Sequence, residues 1–118
     1  MVDEKPQSTQ LVEYVETGGL RWGQTFGIGM NATWPFARIN VSSDRLRLSV
    51  NVLGLWKESF AFEPLEVRQI RRKRWLFSVG VIVEHEKKEY PRFILFWTFR
   101  YKILRGELRS RGYTVTET

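Results

Sequence analysis

The only histidine of the chain, His85, stands between Glu84 and Glu86, and a histidine among carboxylates is the residue set of acid–base and metal chemistry. The surrounding pattern, however, is that of a strand. Neighbours on a strand project to opposite faces, so His85 cannot share a site with either glutamate unless another element supplies the missing ligand or proton acceptor. A hydrogen-bonded residue at a strand end is the expected role. The serines have no second histidine and no obvious lysine dyad to activate them, and Gly27-x-Gly29 lacks the following helix that a dinucleotide loop requires. Acids are few and fall mostly on apparent turns, which leaves no recognisable carboxylate pair for glycoside chemistry. The expectation is a non-enzymatic protein with no catalytic residue, no cofactor and no metal site.

Cations are the remaining candidates. Lys and Arg number 19 against 13 Asp and Glu, a net charge of +6, and the excess is uneven. Arg68, Arg71, Arg72, Lys73 and Arg74 crowd one segment, while Arg100, Lys102, Arg105, Arg109 and Arg111 decorate a C-terminal amphipathic stretch against Glu107. Such asymmetry attracts polyanions in general, whether nucleic acid, lipid headgroups or acidic protein faces. Strand alternation puts Arg72 and Arg74 on one face, and Arg38, Arg45 and Arg47 on the wet face of a hairpin. Those five are the candidate partner- or anion-binding residues. Plain solvation, or a charged edge that discourages aggregation, explains them as well. Nucleic acid also requires aromatics on the basic surface; Trp56 and Trp75 are placed for it, but the other rings follow inward rows, so it is the disfavoured partner.

A length of 118 residues fits one domain able to bury a core without staples. Hydrophobic residues at 42% and charged ones at 27% are globular values, and the 14% aromatic share suits the wide interior of a small barrel. There is no cysteine, which excludes disulfides and thiolate chemistry. Residues 1–10 carry charge and no apolar stretch, so no secretory signal is expected and the cytoplasm is the default compartment. The longest nearly apolar run, Trp75 to Val83, falls well short of the about 20 residues of a membrane-spanning helix.

The elements follow from period and punctuation. Residues 1–17 read as a flexible arm bounded by Gly18-Gly19. Seven strands are expected, near 20–30, 36–41, 45–52, 57–62, 65–74, 76–85 and 90–97, the cleanest being the hairpin in which Leu46, Leu48, Val50 and Val52 alternate with Arg45, Arg47, Ser49 and Asn51. A bulge is expected in 65–74. Thr98 then offers an N-cap, Tyr101, Leu104 and Leu108 one apolar stripe, and Gly112 a left-handed stop, with 114–118 as a short tail. Gly106 is expected to let the helix approach the barrel wall. The fold class is mainly β, a seven-stranded antiparallel barrel or bent sandwich capped by one C-terminal α-helix.

That succession resembles the pleckstrin-homology (PH) superfold. More narrowly, Trp34-Pro35-Phe36-Ala37-Arg38-Ile39-x-Val41, Asp44-Arg45-Leu46-Arg47-Leu48, Val81-x-Val83-Glu84-His85 and Phe93-Ile94-Leu95-Phe96-Trp97 resemble small bacterial PH-like proteins of uncharacterised function. The resemblance covers about 20–113, within a PH-like domain at 18–113. It implies a binding or scaffold module acting on a protein partner, itself included, with peripheral attachment to anionic membrane at the inner face, or nucleic-acid binding, as alternatives. Phosphoinositide-binding members carry Lys and Lys/Arg-x-Arg around a basic first loop. Here that loop, Gly29 to Trp34, holds no basic residue, Arg38 being the nearest, which argues against that ligand.

Overall fold

Leu46, Leu48 and Val50 are buried while Arg47 and Asn51 face water, as their alternation requires. In the computed structural model, which describes residues 12–25, 28–75 and 78–117, this segment is the third of eight strands. They are β1 (Tyr14–Thr25), β2 (Ile28–Val41), β3 (Leu46–Val52), β4 (Trp56–Phe62), β5 (Val67–Trp75), β6 (Ser78–His85), β7 (Phe93–Thr98) and β8 (Val115–Thr116). A 3-10 turn at Pro64–Glu66 precedes β5, and one helix, α1 (Tyr101–Ser110), precedes β8. The strands form one sheet in the order β4-β3-β2-β1-β7-β6-β5-β8. All pairs are antiparallel except β5 with β8.

Several expectations need correction. The strands number eight, not seven, and the sheet is not closed: β4 and β8 are its edges. The arm expected through residue 17 is a strand from Tyr14 onward, and the tail expected from 114 contains β8. Gly18 and Gly19 caused the first misreading, because they lie inside β1 and are there for close approach. A Cβ on Gly18 would sit 2.5 Å from the Phe96 ring and one on Gly19 2.2 Å from the Trp97 ring, so β7 presses one aromatic onto each face of β1. Residues 31–33, which fall between the first two expected strands, lie within β2, and the stretch between β1 and β2, 26–27, is outside the described residues.

Leu20, Ile39, Val41, Leu46, Leu48, Ile70, Val81, Val83, Ile94 and Phe96 meet on the inner face, and Leu104 and Leu108 of α1 close over it. Fully burying each such side chain is worth roughly 1.5–3 kcal/mol. Ile82 and Leu95, paired across β6 and β7, are buried on the opposite face. The bulge expected in 65–74 is present as a register shift between Val67 and Gln69.

The helix begins at Tyr101, later than expected, because the Thr98 hydroxyl does different work. Thr98 belongs to β7, donates to the buried carboxylate of Glu16 and accepts from the Arg100 N–H at 3.0 Å. Tyr14 also donates to Glu16, and burial together with that carboxylate pushes its phenol well above the usual range. Gly112, at φ 96, ends the helix as expected. Gly106 does not approach the sheet: a Cβ there would meet nothing within 4 Å.

Candidate binding surface

β2 and β3 pair Arg38 with Ser49 and Asn40 with Arg47, so Arg38 and Arg47 stand on one outer face, two residues apart along the hairpin. Arg45 lies just before β3 on the same face, exposed beside the turn in which Ser42 bonds Asp44. Three of the five predicted cations therefore share a surface. At its far end Arg38 and Lys57 line an open groove of about 750 Å³ with Phe36, Asn51, Leu53 and Ser59. Glu58 also borders it, but it pairs with buried Val50, so its side chain leaves the strand on the opposite face.

The other two cations are elsewhere. Ile70 and Arg72 of β5 oppose Val83 and Val81, both buried, so Arg72 and Arg74 lie on the inner side of the sheet rather than on a free outer face. Arg72 donates to the Glu117 carbonyl at 3.3 Å and serves to hold the C-terminal segment. Arg74 is exposed, opposite Val79. On the other face Arg71 bonds Glu84 at 2.8 Å, and Arg68 faces Glu86 at 3.5 Å. Hydrogen bonds from Arg71 and Gln69 hold the Glu84 carboxyl below its usual range. The arginine run is thus largely a seam of strand-to-strand and terminal pairing.

Three of the five helix cations are likewise engaged. Arg105 bonds Glu117 at 2.7 Å, Tyr101 donates to the same carboxylate at 2.7 Å, and Arg109 donates to the Val115 carbonyl at 2.7 Å. Those two hydrogen bonds, the one from Arg105 first, hold Glu117 down to about 2, while burial and then Glu117 push Tyr101 up to about 12. Arg111 pairs with Glu107 one turn back.

His85 is the hydrogen-bonded strand-end residue its pattern implied. Its Nδ1 accepts from Lys87 N–H at 3.0 Å, which leaves Nε2 to donate to Pro91 O at 2.8 Å. Among the described residues there is no cluster of three or more His, Cys, Asp or Glu that could hold a metal ion. Trp56 is half-buried and packs on Trp22 with ring centroids 5.7 Å apart and planes tilted by 33°; the side chain of Trp75 is outside the described set.

Sequence reading missed the exposed apolar residues beside the groove. The β3–β4 turn places Leu53 at φ 55 and Gly54 at φ 74, with Leu55 N–H bonded to Val52 O at 3.0 Å. Leu53 is 79% and Leu55 90% exposed. Pro35 lines the same groove as Leu53, and next to it Trp34, 48% exposed, meets Phe99, 66% exposed, edge to face at 6.4 Å. Phe99 in turn meets Trp97 at 5.8 Å. An aromatic ridge and a leucine-tipped turn thus adjoin one groove. The one local signal was Leu53-Gly54-Leu55, whose apolar character is unusual for a turn.

Neither a protein-family model nor a curated protein matches this sequence. Among the described residues no helix is long and apolar enough to cross a membrane.

Proposed function

We propose that this chain is a non-catalytic, PH-like binding module that docks another protein through the groove on β2–β4 and the adjoining ridge of Trp34 and Phe99. The strand path from β4 through β1 to β5, followed by a helix, supports the architecture; β8 and the open edges depart from it. The observation that carries the protein reading is the character of the surface. A polyanion site concentrates unpaired charge of one sign, whereas here Arg68, Arg71, Arg105 and Arg111 are paired with Glu86, Glu84, Glu117 and Glu107. Arg38, Arg45 and Arg47 do stand together on the outer hairpin face, but beside them Leu53, Leu55, Trp34 and Phe99 are exposed, an apolar component that belongs to a protein interface and that a polyanion site does not need. The cytoplasm is the compartment this reading assumes.

The test is photo-crosslinking in the native host, with p-benzoylphenylalanine placed at Leu55 and, as control, at the exposed Ser110 on α1. A discrete protein adduct from Leu55 alone is expected. Vesicles containing phosphatidylserine should retain little protein at about 0.1 M salt, where the screening length is about 10 Å. Strong vesicle retention with no protein adduct would replace this reading with membrane attachment.

A further inference from the structure

We propose that β4 accepts an extended segment of the partner protein, with one acidic residue opposite Lys57, as an added antiparallel strand along Lys57 to Ser59, an inference that rests on the protein-partner reading and specifies its mode. β4 is the outer strand of the sheet at its β3 side. The direction of its backbone groups can be read from two hydrogen bonds: Ser59 N–H goes to Glu58 Oε1 at 3.4 Å and Ala61 N–H goes to Tyr90 OH at 3.2 Å, neither of them to β3. In an antiparallel pair, a residue turns both its N–H and its C=O to the same neighbour, and the direction alternates along the strand. Lys57, Ser59 and Ala61 therefore face outward, while Trp56, Glu58, Phe60 and Phe62 pair with β3.

This edge is closed at one end and open at the other. At Ala61, Tyr90 takes the N–H and Lys87 Nζ donates to the carbonyl at 3.4 Å, so no strand can add there. At Lys57 the N–H and C=O are outward, as is the Ser59 carbonyl, and the Ser59 N–H is held only by a long contact to an exposed carboxylate. The open stretch spans three residues and borders the groove, which is lined by Lys57, Glu58 and Ser59.

Side chains define the occupant. A second copy of this chain fits poorly. Two-fold pairing about Glu58 sets the two glutamates opposite each other, and pairing about Lys57 opposes the two lysines; like charges directly opposite destabilise a sheet. An added strand instead presents its own side chain beside Lys57, where Asp or Glu is favoured. Two residues further along, the same face meets exposed Leu55. The preferred segment therefore reads polar-x-acidic-x-apolar from its N-terminus. Main-chain bonds supply the docking, and Lys57 and Leu55 the selection.

The experiment titrates full-length protein with the capped peptide Ser-Val-Glu-Val-Leu-Thr, following amide shifts and hydrogen exchange by NMR. Protection should appear at Lys57 and Ser59. Replacing the central Glu of the peptide by Lys, or N-methylating it, should weaken binding about tenfold or more, and Lys57→Glu should restore binding of the Lys peptide. Ser59→Pro removes only an outward N–H, so the ladder to β3 survives while strand addition is blocked. Shifts confined to other strands, equal binding of the N-methyl peptide, or undiminished binding by a folded Ser59→Pro variant would overturn the proposal. The Leu55 crosslink separates the two readings: an adduct that persists in Ser59→Pro defeats strand addition alone, and no adduct in the wild type defeats the protein partner.

Discussion

Replacing Leu53 by Asn should stabilise this protein. Leu53 occupies φ 55, where a branched L side chain crowds its own carbonyl at a cost of roughly 1–2 kcal/mol, and Asn tolerates that region. The substitution gives up little burial, because Leu53 is 79% exposed and the covered fifth of its surface is worth about 0.5 kcal/mol. The expected net gain is about 0.5–1.5 kcal/mol, a rise in Tm of about 2–6 °C for a domain of this size. Gly54→Ala provides the opposite sign at the adjacent position. At φ 74 an added Cβ meets nothing within 4 Å, so only the backbone conformation is penalised, and a loss of about 1 kcal/mol is expected. Urea denaturation of both variants, with unchanged m-values, reads the pair. A destabilised Leu53→Asn variant would refute the reasoning, because Leu53 would then be held by contacts worth more than its strain. If Leu53 is kept for docking, the stabilised variant should also bind its partner less well, a trade-off common where local strain sits at a working surface.

The clean hairpin yields a second comparison. Leu48→Ala, at a fully buried position, should cost about 2–5 kcal/mol through lost transfer and a cavity, whereas Arg47→Ala, one residue away and exposed, should stay within about 0.5 kcal/mol; thermal denaturation showing the reverse order would mean the register is off by one. The third concerns acid. Glu117 is held at about 2 against an ordinary 4.5, so the stability it adds is fully present above about 4.5 and is lost as pH falls toward 2. Melting curves of the wild type and Glu117→Gln should differ at neutral pH and converge toward pH 2; parallel curves would show that the carboxylate does not hold the C-terminal segment.

Legibility from sequence followed how locally each contact is specified. Leu46, Leu48 and Val50 write their burial into a period of two, and Leu104 and Leu108 into a helical stripe, so the hairpin and helix could be read directly. The beginning of β1 could not, because its inward row opens on Tyr14 and Glu16, a phenol and a carboxylate that are acceptable inside only through Thr98, 82 residues away in the chain. The same bond removed Thr98 from the helix cap. Residues 115–116 are too few to show any period, and β8 exists because Thr114 O accepts from Ile70 N–H and α1 grips the terminus. The predicted cations divided for a related reason. Alternation correctly joined Arg38 to Arg47 and Arg72 to Arg74, but could not reveal that the second pair shares the inner side with Ile70 or that Glu117 returns to meet Arg72. Trp34 and Phe99, far apart in sequence, meet only once β1, β2 and β7 are assembled.

The two borders of the sheet are finished differently, and this sets a limit on assembly. β8 occupies one border with two parallel residues, too short to template another chain, while β4 keeps three residues open before Tyr90 and Lys87 close the rest. A molecule with two long free borders could polymerise, each copy offering a template to the next. At β4 the berth is single and short. Strand addition of the kind proposed would be self-terminating at that border, with one guest for each host.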